Sequence, residues 1–503
     1  MDMNDKNVSV QNQEAQNGTA QNAAAQSVAA RHTGNLKKNF GFFGPATFVY
    51  AVFYAFCMFR NGSGITFPFF VAGSLLYFCL CLSKLEISLK KGSVFYMAGM
   101  ALLSVSTFCT DDSRIISLNK TGIFLLMMSL LLKQFYDTSG WKLGKYLGSI
   151  LQLVFCSLGE LGRPFQDGAA YLRERGKNHK IWLVLLGLII ALPLLLVIAA
   201  LLSSADAVFG EMMKSLTDWI QPANVLNVTF RILFLFFASY LLLAYLCRHA
   251  ISQEVKDRRK GEPILAITVT GLLSLMYLLF CGIQIFGLFL GKLQLPEGYT
   301  YAEYAREGFF QLLAVSILNL VIVLFTLSFF RESALLRIIL TVMSLCTFVM
   351  IASSAMRMIL YIQSYDLTFL RILVLWTLGV LFLLFTGVIV GIFRESFGLF
   401  RYSMAVVTIC YVLLSFSHPD YIIAKVNLKE ASHKTEQIDF GYLSSLSADA
   451  APVLVPYMKA TGREAYVEGL SERLSEGSFR TFNLSRFMAG KTLEKYGEDI
   501  NFF

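Results

Sequence analysis

Charge is scarce in this sequence. Only 15% of its 503 residues are Asp, Glu, Lys or Arg, 56% are hydrophobic, and the mean hydropathy is +0.59. Soluble domains carry about 25% charged residues, so a soluble enzyme is excluded for most of the chain. His32, His179, His249, His418 and His433 are scattered and none belongs to an H-E-x-x-H pattern, which leaves metal catalysis without its usual signature. No glycine-rich loop precedes a Lys-Ser/Thr pair and no G-x-S-x-G elbow occurs, so nucleotide-driven pumping and serine hydrolysis also lack theirs. No catalytic residue, metal or cofactor is expected. The nine cysteines form no C-x-x-C pair and fall in or beside apolar runs, where they read as small hydrophobes.

What is present is apolar length. A helix needs about 20 residues to cross a hydrocarbon core roughly 30 Å thick. Runs near 41–59, 65–83, 93–109, 121–135, 181–203, 225–247, 264–290, 308–330, 334–355, 368–393 and 402–416 give eleven expected spans, of which 121–135 is the shortest. A further stretch, 141–158, is interrupted by Lys142, Gly144, Lys145 and Gly148 and reads as an amphipathic helix on the membrane surface, within a segment 136–180 on the N-terminal side. The first 39 residues are polar and rich in Asn, Gln and Ala, without a basic stretch leading into an apolar one. They are expected to be a disordered tail and not a cleavable signal.

Basic residues set the orientation. With eleven spans, 23 lysines and arginines lie at the loops and span ends on the side of the N-terminal tail and nine on the other, so the positive-inside rule places the N-terminus in the cytoplasm. The net charge of +9 is therefore a topology signal and not a nucleic-acid footprint. Residues 417–503 fall outside, contain no cysteine, and show amphipathic stretches at 442–459, 463–476 and 481–496, as a small helical domain would. The fold class expected is an all-α integral membrane protein of about eleven transmembrane helices with a helical extracytoplasmic C-terminal domain, and membrane lipids are its expected surroundings.

Within the spans, Gln284, Gln311 and Asn319 are the main polar interruptions, which suit hydrogen bonds between helices. The pairs Gly287/Gly291 and Gly387/Gly391 suit close helix packing. Phe-Arg-Glu-Ser occurs twice, at 330–333 and 393–396, each at a cytoplasmic span end.

The outer side holds the candidate binding residues. Thr300 and Glu303 have capping-box spacing and start a helix that carries Arg306. Arg357 and Tyr361 lie four apart, hence on one helical face, with Tyr365, Asp366 and Arg371 close behind. Two guanidinium groups beside an acid can grip a phosphate or carboxylate, and the alternative is an interfacial salt bridge with aromatic anchors. Asp206 closes span five, and Asp111 and Asp112 occupy the second outer loop. Such carboxylates suit a base or a divalent-ion site, or are solvated loop acids.

The strings SSADAVF (203–209), TYAEYAREGFFQL (300–312), RMILYIQSYDLTFLR (357–371) and SFRTFNLSR (478–486), in that order, resemble a bacterial family of polytopic membrane proteins catalogued as a domain of unknown function, the 4153/4173 group. Asp366 stands where that pattern has the glycine of Tyr-Gly-Leu-Thr. The resemblance implies an integral protein of the bacterial cytoplasmic membrane and no assigned activity. All four strings fall on the outer side. The leading expectation is a non-enzymatic envelope sensor, scaffold or permease-like component that engages an envelope protein or anionic lipid there. The alternatives are a lipid-dependent glycosyl-transferase-like enzyme using Asp111, Asp112 or Asp206 beside Arg357 and Arg371, and a small-solute transporter depending on Gln284 or Asn319.

Overall fold

Long uncharged runs must satisfy their backbone internally in a bilayer, and helices do so within one segment. The computed structural model describes residues 26–138, 140–175, 187, 191, 194–195, 198–199, 201–206, 209, 222–249, 251, 259, 261–286, 301–394, 396–431, 439–463, 465–474 and 479–497. Regular structure among them is helical, with one isolated β-bridge between Gly261 and Phe330. In chain order the helices are α1 (26–38), α2 (Phe40–Met58), α3 (Thr66–Lys84), α4 (Ser93–Cys109), α5 (Ser113–Phe135), α6 (Leu143–Cys156), α7 (Arg163–Arg175), α8 (Pro222–Arg248), α9 (Pro263–Gln284) and α10 (Tyr301–Phe329). They continue as α11 (Ala334–Tyr365), α12 (Phe369–Phe393), α13 (Leu399–Ser415), α14 (Pro419–Ala431), α15 (Phe440–Ser444), α16 (Ala451–Ala460), α17 (Ala465–Leu474) and α18 (Leu484–Lys495).

Eight described helices are long and apolar enough to cross a membrane, or nine if α13 and α14, bent by 58°, count as one span. The protein is an all-helical, multi-pass membrane protein. The short expected span 121–135 is the end of a longer helix, α5, of 23 residues; its first two turns carry Arg114, Asn119 and Lys120 and so hide from a hydropathy window. The expected span 181–203 lies largely outside the described residues, and those described within it are helical. Residues 26–38, inside the stretch expected to be a disordered tail, form α1, and its Leu36 is 2% exposed.

Two compact units divide the chain: residues 1–104, 123–138 and 144–253, and residues 105–122, 139–143 and 254–503. In the first, α2 and α3 pair through aromatic and hydroxyl contacts. Tyr50 stacks on Tyr77 at 4.5 Å, Thr47 and Tyr77 share a 2.6 Å hydrogen bond, and Tyr50 and Ser74 one of 2.7 Å. Leu36, Phe40, Phe43, Cys81, Leu85, Tyr240 and Cys247 form its core. Asp167 on α7 is buried and accepts a 3.0 Å hydrogen bond from Tyr240 on α8.

The second unit packs α9 to α12 around Val323, Leu340, Met343, Val388 and their neighbours. Its buried polar groups bond between helices, as expected in hydrocarbon. Asn319 accepts from Tyr277 at 2.8 Å and donates to Thr347 at 3.0 Å, and Gln284 accepts from Ser353 at 2.8 Å, whereas Gln311 is exposed. A Cβ at Gly387 would collide with the ring of Tyr402, so glycine is required for α12 to meet α13 there; Gly287 and Gly291 lie outside the described residues. In the first Phe-Arg-Glu-Ser, Glu332 accepts from Arg259 and Arg337. The helices α14 to α18 surround their own core of Ile423, Ala424, Leu446, Leu454, Val455, Tyr466, Leu470, Ala489 and Leu493. Because α14 carries Asp420, Lys425 and Lys429 and contributes to this core, it belongs with the C-terminal helices and not with α13.

Candidate functional site

Four aspartates, two arginines and one histidine of the second unit meet where the α4–α5 turn touches the C-terminal helices. Asp112 caps the start of α5, accepting from the Arg114 N–H at 2.9 Å and from the Arg114 guanidinium at 2.9 and 2.8 Å. The same guanidinium donates to Asp420 in the first turn of α14 and lies 4.0 Å from the ring centroid of Phe369. Asp420 also accepts from the Ser447 N–H at 2.9 Å. Asp449, in the 3-10 turn before α16, accepts from Thr110 Oγ1 at 2.5 Å, the Asp111 N–H at 2.8 Å and Ser485, and pairs with His418 Nδ1 at 3.2 Å. Asp111 accepts from Arg486 Nε at 2.7 Å and the Ala448 N–H at 3.4 Å. Asn483, the N-cap of α18, donates to the Thr110 carbonyl at 3.0 Å.

Asp112 and Asp420 are each 1% exposed. The expectation that Asp111 and Asp112 are solvated loop acids is therefore corrected: the C-terminal helices cover the turn, and both acids are ion-paired. A polar seam continues from the turn between α4, α5 and α13. Asn119 donates to Thr107 at 3.1 Å and accepts from Tyr411 at 2.8 Å and Ser415 at 2.7 Å.

Burial alone would raise Asp449, but its bonds from His418, Ser485, Thr110 and the Asp111 N–H outweigh that and hold the carboxyl below its ordinary value. The bond to Asp449 raises His418, against the opposing effect of burial. Asp420 is raised, first by burial and then by the neighbouring Asp112, with the Ser447 N–H and Arg114 opposing.

The binding residues expected from sequence are distributed differently. Arg357 is buried, with Nη2 3.3 Å from Gln284 Oε1, and a Cβ at Gly308 would collide with its guanidinium. Tyr361 stacks against Phe309 at 5.7 Å and lies under Arg371, whose guanidinium is 4.2 Å from the ring centroid. Arg371 also donates to the carbonyls of Tyr365, at 2.6 Å, and Asp366. Tyr361, Asp366 and Arg371 thus share one turn, and the contacts of Arg371 are those of an aromatic anchor and helix cap. Asp366 has φ +68°, ψ 168°, a conformation that favours glycine. Asp206 is exposed and accepts from the Phe209 N–H at 2.7 Å. Glu303 and Arg306 lie on α10, and their side chains fall outside the described residues.

Sequence reasoning missed His418, Asp420 and Asp449. No local spacing links them to residues 110–114, although SFRTFNLSR contains Asn483, Ser485 and Arg486. Among the described residues no group of three or more His, Cys, Asp or Glu side chains is arranged to hold a metal ion.

These features define a multi-pass α-helical membrane protein whose C-terminal helices are clamped to an interhelical turn by part-buried ion pairs. The chain belongs to the family described as Domain of unknown function (DUF4153), which matches residues 97–457. The match takes in three of the four strings noted above and ends before SFRTFNLSR. No curated protein and no solved structure matches the chain.

Asp366→Gly is expected to raise the midpoint of thermal unfolding in detergent, by relieving a backbone cost of about 1–3 kcal/mol less whatever the aspartate side chain contributes; a ligand-binding role for the carboxylate would instead show as lost binding at unchanged stability. Because the folded-state value of His418 is raised, its contribution is complete below about pH 6.5 and is lost as pH rises through that higher value. Wild-type stability should therefore decline as pH rises above about 6.5 and through that raised value, and His418→Gln should flatten that decline when melting is followed across the same range.

Proposed function

We propose that this protein is a non-enzymatic scaffold of the bacterial cell envelope that holds its C-terminal helical domain on the outer face of the cytoplasmic membrane for engagement of an envelope partner. One observation carries the reading. Each of the eight oxygens of Asp111, Asp112, Asp420 and Asp449 accepts a hydrogen bond from this chain's own groups. A general base or metal ligand needs a carboxylate oxygen facing substrate, and the carboxylates that an envelope glycosyl-transferase-like enzyme would draw from this loop serve instead to hold the domain. Asn319 and Gln284 likewise bond neighbouring helices, which favours a packing role over a solute path.

Helix parity supports the topology. Contacts of Arg114 with Phe369 and Asp420 put the α4–α5 turn, the α11–α12 turn and the start of α14 on one side. The chain must then cross an even number of times between residues 113 and 365. Five described spans, α5, α8, α9, α10 and α11, lie in that interval. A sixth crossing, read from the apolar sequence 181–203, would make the number even, whereas adding the 14-residue α6 as well would make it odd. This favours eleven spans and, with the basic residues on the opposite side, an outer C-terminal domain.

A cysteine at the exposed Glu494 on α18, in a cysteine-free background, tests this in intact cells. Labelling by a membrane-impermeant maleimide is expected. Labelling only after lysis would put the domain inside and overturn the proposal.

A further inference from the structure

The two faces of α6 have opposite surroundings. Tyr146, Ser149 and Leu153 are buried. On the other side Leu147, Leu151, Phe155 and Leu158 are exposed, and beyond the 3-10 turn the stripe continues through Leu161 and Phe165, with exposures between 39% and 65%. Within α6 the spacing of four residues keeps Leu147, Leu151 and Phe155 along one side. A contiguous apolar patch of this kind is rare on a water-facing surface and marks an interaction site. With 14 residues α6 is too short to cross a bilayer.

The segment is fixed to a spanning helix by its buried acids. Glu160 accepts from Arg163 at 3.0 Å and from Arg248, at the end of α8, at 3.2 Å, and lies 3.3 Å from His249. Asp167 accepts from Tyr240 on the same helix. The stripe then runs onto α8 itself. Phe165 meets Phe237 at 5.9 Å between ring centroids, about three helical turns in from Arg248. One turn further along the helix, Phe234 and then Phe230 are 57% and 68% exposed, which on a membrane-spanning helix means exposure to acyl chains. The apolar surface of Leu147 to Phe165 is thus continuous with a lipid-facing surface.

We propose that residues 147–165 form a lipid-binding element that inserts its leucine and phenylalanine stripe into the acyl-chain region of the leaflet at the Arg248 end of α8. Its occupant is lipid, because Phe165 at the end of the stripe packs on Phe237 of α8, the helix whose Phe230 and Phe234 are exposed on the bilayer-crossing stretch. Interfacial helices of this type bury an apolar face about 5–10 Å below the headgroups.

The experiment uses the full chain, cysteine-free, in nanodiscs of phosphatidylethanolamine and phosphatidylglycerol, with a nitroxide at residue 147, 151 or 155, or at the exposed Arg173 on α7 as a water-facing reference. Collision rates with oxygen, which partitions into lipid, and with a water-soluble nickel chelate are compared. The account expects the oxygen-to-nickel ratio at all three stripe positions to exceed that at residue 173 severalfold. Nickel-dominated collisions at the stripe would show a water-facing surface, and low rates with both reagents would show cover by protein such as a second copy. Either result overturns the proposal, and the use of three exposed positions keeps the outcome independent of any one label disturbing the fold.

Discussion

Burying a carboxylate costs several kcal/mol unless donors replace the water it loses. The site in the second unit meets that requirement for Asp112, Asp420 and Asp449 in one place and ties the less deeply buried Asp111 to them. The donors come from widely separated parts of the chain: Arg114 and the turn amides from the α4–α5 junction, the Ser447 and Ala448 N–H groups from the turn before α16, and Ser485 and Arg486 from α18. Removing any one segment would leave buried charge uncompensated, which is why the turn, α14 and α18 are held together as a set. Apolar packing among Leu446, Leu454, Val455 and Leu493 gives the C-terminal helices their bulk stability, but packing is not directional, and the ion pairs specify which end of the membrane bundle they meet.

The same constraint bears on chemistry. Acids that complete a structural network are poor candidates for moving protons to a substrate, because every oxygen of these carboxylates already accepts a hydrogen bond from the chain. The network nevertheless contains an imidazole, His418, whose value the bond to Asp449 raises.

Legibility from sequence tracked the range of the interaction. The spanning helices were visible because burial in hydrocarbon demands a continuous local signal, and the helix beginning at Tyr301 was marked by the Thr300 and Glu303 spacing just before it. The first two turns of α5 were not visible, since Arg114 and Asn119, besides bonding Asp112 and Thr107 nearby, are completed by residues 292 or more positions away, Tyr411, Ser415 and Asp420. Asp111 and Asp112 stand out in the sequence as acids suited to a site or to solvent, and their structural role is hidden because nothing near them announces Arg486 or the helices that cover them. Asp366 was legible as a departure from a glycine, and its left-handed backbone supplies the physical reason for that glycine.

The central claim is that Arg114 and Asp420 clamp the C-terminal helices to the α4–α5 turn. A double-mutant cycle of Arg114→Met and Asp420→Asn, read by thermal unfolding of the purified protein in detergent, measures it directly. The account predicts that the double variant loses less than the sum of the single variants by about 1–3 kcal/mol. Strict additivity would mean that the two groups do not act on one another, and would contradict it.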